Sequence, residues 1–289
     1  MVKPEDALKQ INRSGYPFQL RVEQQVVATR SDHGWSVASR EHPWAVPDAG
    51  SSGFIDIVLQ HDHFVTYRLV LECKRIKADD GRQLNWHFLV PDKILKPTAL
   101  ASCFEVEGNG KRDDKESKWE DLRVWDNVRV TPESLQAEFC VMPSDEQRRS
   151  PILESLAAEV LQSVEGLAHE EVSVARSTGG NQHTRLFILP AVVMNAALTV
   201  CRFNPSLIKI EDGTLDATDA ELETVPFIRF RKSLATGFPN RQMNDLKAAN
   251  RARERTVFIV TAAHIADFLK GWRVEALNAY EGFATQKLW

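Results

Sequence analysis

Two short apolar runs interrupted by charge constrain this chain more than anything else in it: Gly53-Phe54-Ile55-Asp56-Ile57-Val58 and Arg68-Leu69-Val70-Leu71-Glu72-Cys73-Lys74-Arg75. Their alternation is that of strands, which puts Phe54, Asp56 and Val58 on one face of the first and Val70, Glu72 and Lys74 on one face of the second. The link Gln60-His61-Asp62-His63-Phe64 is short and polar, so an antiparallel hairpin is expected, with Asp56 opposite Glu72 and Lys74. An ionised group in such a setting is costly unless it is paired or binds a cation. The two carboxylates offer hard oxygen donors to Mg²⁺ or Mn²⁺, and the backbone carbonyl of Cys73 is a further candidate ligand. Lys74 would orient a water or neutralise charge on a phosphoryl group. The competing reading is a plain ion-pair network at a strand end.

Asp56, fifteen intervening residues and the triplet Glu72-Cys73-Lys74 resemble the active-site motif of the PD-(D/E)XK nucleases, the restriction-endonuclease-like superfamily. The Glu-Cys-Lys triplet is similar to that of its Holliday-junction-resolvase and type IV restriction-enzyme branches. The resemblance covers residues 14–76 and 184–271. It implies an α/β fold, a central mixed sheet flanked by helices, with a large insertion after the Glu-Cys-Lys strand. The expected organisation is a first part of the core at 1–76, an insertion at 77–150 and a second part of the core at 151–289. It further implies catalysis by Asp56, Glu72 and Lys74, with Mg²⁺ or Mn²⁺ held by Asp56, Glu72 and the Cys73 main chain. A helix carrying an acid precedes the hairpin in such proteins; Gly15 to Val26 looks like that helix, with Glu23 as its acidic candidate. Some relatives place the acid soon after the proline, where this chain has Gln19, and Ile55 stands where the motif's name has proline. The implied substrate is DNA, with RNA also open, in restriction, defence or repair, acting as a homodimer or a subunit of a defence complex. The alternative is a catalytically inactive member of the fold that binds nucleic acid or docks proteins in a larger complex. Gln19 and the acidic overall charge favour that alternative.

A net charge of -4 gives no global signal for nucleic acid, so a phosphate surface must be local. From Phe227 to Arg255 eight basic residues face two acidic ones. Arg229 and Arg231 alternate with Ile228 and Phe230 as on a strand with one wet face, and Asn244 to Arg255 reads as a basic helix. Arg229, Arg231, Lys232, Arg251, Arg253 and Arg255 are the candidate phosphate contacts, against the alternative of a merely solvated surface. Cys73, Cys103, Cys140 and Cys201 show no paired spacing, which argues against zinc and suits a reducing cytoplasm. The start lacks a signal-peptide pattern, and the longest apolar stretch, Leu186 to Cys201, is broken by Pro190 and Asn195, so no membrane partner is expected.

Elsewhere a helix is expected over Pro4 to Ile11 and a strand over Trp35 to Ser39. In 77–150, Trp86, Trp119, Trp125 and the charged run Lys111 to Glu116 read as an insertion with its own small apolar cluster. Ile152, Leu153, Leu156, Ala157, Val160, Leu161 and Val164 recur at helical spacing after Ser150 and Pro151, a core helix crossing the sheet. Strands are expected from Thr184 to Val200 and over Thr256 to Val260, the latter entering a helix that begins near Thr261. His61 and His63 are read as solvated at the hairpin tip.

Overall fold

The structure is a computed structural model that describes residues 3–46, 50–62, 66–76, 85–91, 97–99, 101–109, 118–128, 130–142, 152–177, 185–234 and 253–273, with the backbone alone at 107–109, 118–128, 175–177 and 185. Helices are α1 (Pro4–Arg13), α2 (Tyr16–Ala28), α3 (Arg30–His33), α4 (Ile152–Ser177) and α5 (Ile265–Lys270). Strands are β1 (Ser36–Val46), β2 (Ser51–Asp62), β3 (Thr66–Lys74), β4 (Asn85–Val90), β5 (Ala101–Asn109), β6 (Lys118–Val128), β7 (Gln136–Ala137), β8 (Phe139–Val141), β9 (Arg185–Met194), β10 (Ala197–Phe203), β11 (Ala220–Val225), β12 (Phe227–Ser233) and β13 (Glu254–Thr261).

The main sheet runs β1-β2-β3-β9-β13-β12-β7, and β5, itself paired with β6, adds to β9. It is mixed: β1, β2 and β3 form an antiparallel meander, while β9 lies parallel to both β3 and β13. A second sheet, β11-β10-β4-β8, is not hydrogen-bonded to it. The strand alternation of the sequence decides what each face of the main sheet buries. Val58, Val70, Ile188, Val192, Val257 and Ile259 share a core with Leu153, Ala157, Val160, Leu161 and Val164 of α4 and with Trp86, Phe88, Leu198 and Val200 of the second sheet. The opposite set, Ile57, Leu59, Leu69, Leu71, Leu189, Val193 and Phe258, packs under Val22 and Val26 of α2 and Ile265, Phe268 and Leu269 of α5. The result is an α/β protein whose mixed sheet is covered on both faces. Each of the buried Val, Leu, Ile and Phe side chains among them contributes about 1.5–3 kcal/mol, so both layers are needed to hold the sheet. At Gly166 of α4 the approach to β1 is close enough that an added Cβ would lie 2.8 Å from the Trp44 ring, which is why a residue of poor helix propensity stands in mid-helix.

Segment 77–150 does not keep to itself. β5 adds to the main sheet at β9, β4 pairs with β10 in the second sheet, and Trp86, Phe88, Val90, Phe104 and Val106 belong to the α4 core rather than to a separate cluster. The first half of β9, the segment Arg185–Ile188, is left open by β13, which pairs only from Ala191 onward, and β5 fills that edge. The run 111–116 and the side chains of Trp119 and Trp125 lie outside the described residues, as do Ser150 and Pro151. His61 is also unlike its expectation: β2 extends to Asp62, and the ring is buried edge-on against Trp35 at 5.4 Å; His63 lies outside the described residues.

In its described part, the basic stretch from Phe227 to Arg255 is not the solvated strand face that alternation suggests. Arg229 is fully buried, its guanidinium donating to the carbonyls of Thr98, Pro132 and Ser134 and lying 5.5 Å from the centre of the Phe258 ring. Arg255 is buried too, donating to the Glu254 carbonyl, and it is a strand residue, not a helical one. Arg231 pairs with Glu254 at 3.1 Å, and Lys232 pairs with Glu154 of α4 at 2.6 Å. Both faces of β12 are therefore covered, because the segment around Pro132 and Ser134 lies over the face that alternation assigns to water. Arg253 is exposed, and Arg251, with the rest of the expected helix before it, lies outside the described residues.

Candidate active site at the parting of two strands

β2 and β3 run antiparallel in the expected register, pairing Ile57 with Leu71 and Val58 with Val70. The ladder stops at Ile57 and Leu71. Beyond it β2 continues to Ser51 against β1 alone, and β3 continues to Lys74 against β9 alone. Asp56 and Glu72 are the first residues past the fork, so they face one another where the backbones separate. The side chain of Asp56 replaces the missing ladder bond, its Oδ2 accepting from the Cys73 backbone N–H at 2.6 Å. Lys74 Nζ donates to Glu72 Oε1 at 2.7 Å. Asp56, Glu72 and Lys74 thus converge from neighbouring strands, while Cys73 turns to the opposite layer and packs at the edge of the α2 core.

The fork opens a cavity of about 430 Å³ lined by Asp56, Glu72, Cys73 and Lys74, by Gln19 and Glu41, by the α1–α2 turn from Asn12 to Tyr16, and by Arg75. Two of these residues carry most of what the sequence did not disclose. Gln19 of α2 is buried, and its amide nitrogen donates to Glu41 Oε1 at 2.6 Å and to the Asp56 carbonyl at 2.9 Å. Glu41 of β1 lies beside Asp56, between the registered pairs Arg40 with Ile57 and His42 with Ile55. Its φ is 48°, the left-handed region that a long side chain rarely occupies. Glu23 does not line the cavity; it lies one turn further along α2 and meets Arg40 at 3.6 Å. Gln19, just after the proline, is the α2 residue that bonds to Asp56. No spacing rule points to Glu41, since its contribution depends on a register across three strands.

The acids in the cavity disturb one another. Burial, with the Asp56 charge adding to it, pushes the Glu72 carboxyl up to about 7 despite the Lys74 ammonium. Burial also raises Asp56, with Glu41 and Glu159 of α4 acting the same way against the Cys73 N–H and Lys74. Burial alone would lower Lys74, but its bond to Glu72 and the surrounding carboxylates outweigh this and hold it above its usual value. Carboxylates that are reluctant to ionise next to each other are well served by a divalent cation, and two carboxylates with a main-chain oxygen, water and substrate oxygens suit Mg²⁺. Among the described residues no three His, Cys, Asp or Glu side chains form a complete cation cage, so Asp56 and Glu72 would need those additional ligands.

Two results are expected from these arrangements. Glu72 binds its proton more tightly in the folded chain than in the unfolded one, so the sign of its linkage is destabilising as pH rises from about 4.5 to about 7. Urea unfolding in chelator should show stability falling over that window with a slope of at most about 1.4 kcal/mol per pH unit. Glu72→Gln should flatten it; an unchanged slope would refute the assignment. The second concerns Glu41, where left-handed strain of about 1 kcal/mol is outweighed by a charge-assisted hydrogen bond of about 1.5–3 kcal/mol. Glu41→Gly should therefore destabilise the wild type but stabilise a Gln19→Met background. A double-mutant cycle by urea denaturation should return a coupling of about 1 kcal/mol or more, whereas additivity would mean that Gln19 does not hold Glu41.

Comparison of the chain with protein-family models, with curated proteins and with solved structures gives no match. Among the described residues no helix is long and apolar enough to cross a membrane.

Proposed function

We propose that this chain is a metal-dependent nuclease with a restriction-endonuclease-like core that hydrolyses phosphodiester bonds in nucleic acid, DNA first among the candidates. The observation that carries the reading is the convergence of Asp56, Glu72 and Lys74 at the fork between β2 and β3, facing an open cavity. Asp56 and Glu72, with the Cys73 carbonyl, would hold Mg²⁺ or Mn²⁺, which when bound polarises a phosphoryl oxygen and eases deprotonation of water. Lys74 keeps its proton and places a positive charge beside the reacting phosphate, where it stabilises the charge that develops there. Glu72 holds the Lys74 ammonium in place, and the Cys73 N–H fixes the Asp56 carboxylate. No covalent nucleophile is required. The setting implied is restriction, defence or repair.

A second reading is a catalytically inactive subunit of the same fold that docks nucleic acid or protein. Gln19 in the helix-acid position and the burial of Arg229 and Arg255 favour it. Incubation of the purified chain with supercoiled, linear, single-stranded and junction DNA and with RNA, in Mg²⁺ and in Mn²⁺, separates the two. Cleavage that disappears in Lys74→Ala supports the nuclease, and intact substrate throughout, with folded protein, supports the docking subunit.

A further inference from the structure

The acids at the floor of the cavity do not by themselves attract a polyanion, so whatever binds there must be held by its rim. Two arginines stand on that rim. Arg13 closes α1 and is exposed; Arg75 follows the last residue of β3 and is half-buried. Neither forms an ion pair among the described residues, in contrast to Lys74, Arg231 and Lys232. Both are mounted on fixed backbone. The residue after Arg75 is clipped twice by Asn195, whose Oδ1 accepts from the Ile76 N–H at 2.7 Å and whose Nδ2 donates to the Ile76 carbonyl at 3.1 Å. The turn after Arg13 is closed by the Ser14 hydroxyl donating to the Ile11 carbonyl at 2.7 Å and accepting from the Tyr16 N–H at 3.3 Å. Gly15 at φ 86° makes that turn possible and delivers Tyr16, 57 % exposed, to the cavity edge.

A flat exposed ring beside two guanidinium groups that form no ion pair among the described residues, over a cavity of about 430 Å³, has the form of a site for one unstacked nucleotide and its flanking phosphates. Pockets of about 300–1,000 Å³ enclose ligands of nucleotide size, whereas a paired base presents no free face to an aromatic side chain. Every base has a face that can stack, so the recognition would be indifferent to sequence. We infer that the cavity takes an unpaired strand: Tyr16 stacks a base, and Arg13 and Arg75 hold the phosphates on either side of the one brought to Asp56, Glu72 and Lys74. This rests on the nuclease reading for the chemistry at the floor, but the strand site itself does not depend on cleavage.

Binding measured in chelator separates the two. Fluorescence anisotropy with a labelled mixed-sequence oligonucleotide, as a single strand and as a duplex, in deoxy and ribo forms, should show the single strand bound about ten-fold or more tighter than the duplex. Preference between the deoxy and ribo strands then assigns the sugar. Arg13→Ala and Arg75→Ala should each reduce the slope of log affinity against log salt by about 0.7, one phosphate contact to a single strand. Tyr16→Ala should weaken binding about five-fold or more, the lower end for one lost stack, while Tyr16→Phe should not. A duplex bound as tightly as the single strand, or salt slopes unchanged in both arginine variants, overturns the inference. Strand binding with these signatures but no cleavage in any divalent metal upholds it and counts instead against the nuclease.

Discussion

Arg229→Ala should lower the unfolding free energy by about 3–5 kcal/mol, a loss on the scale of emptying a large core position. The guanidinium is buried among neutral partners, the carbonyls of Thr98, Pro132 and Ser134. It closes over the isolated bridge in which Thr98 and Ser134 exchange backbone hydrogen bonds. Thr98 and Ser134 oxygens keep those backbone donors when the side chain is removed, but the Pro132 carbonyl loses its hydrogen-bond donor. Truncation also leaves a void against Phe258. Burial pulls the guanidinium down to about 10, still charged at neutral pH, so the loss includes charge-assisted bonds. Arg229→Met keeps most of the volume and isolates the polar part, about 2–3 kcal/mol. Against a total of about 5–15 kcal/mol, the alanine variant should show a urea midpoint shifted far enough to threaten folding at 37 °C. Two midpoints within experimental scatter of the wild type would mean that the segment around Pro132 is held by other contacts.

This arginine also marks where reading the chain as text stops working. The hairpin β2–β3, helix α4, strand β9 and strand β13 are legible because a strand or helix buried on a face prints its period into the sequence. Asp56 opposite Glu72 follows from that period and a short polar link. Arg229 prints the same alternation as a wet strand face, yet its burial is decided by a covering segment about one hundred residues earlier, which no local pattern encodes. Glu41 fails for a similar reason. It matters because of a three-strand register and a glutamine from α2, and a left-handed φ at a glutamate carries no sequence mark. Segment 77–150 reads as an insertion because its periods are weak, while β5 is drawn into the main sheet by the unfilled edge of β9.

Asp56→Asn is expected to do two opposite things at once, and the pairing is what distinguishes a working site from an ion-pair network. Asparagine is nearly isosteric and can still accept the Cys73 N–H through its carbonyl oxygen. It removes a buried charge that faces Glu72, Glu41 and Glu159. In chelator at pH 8 the variant should therefore be more stable than the wild type, by about 0.5–2 kcal/mol. Lys74 keeps Glu72 as its partner, so the substitution leaves no charge unpaired there. On the nuclease reading the same change removes an anionic ligand, and cleavage should fall by about 10²–10³-fold or more. The rise in thermal midpoint that Mn²⁺ gives the wild type by binding the folded state should shrink with it. A purely structural network predicts the reverse: Asp56→Asn would cost stability at every pH and leave the response to Mn²⁺ unchanged. Thermal midpoints at two pH values with and without Mn²⁺, taken beside the cleavage rate, decide between them, because a residue retained against its own cost in stability must be repaid by what it binds.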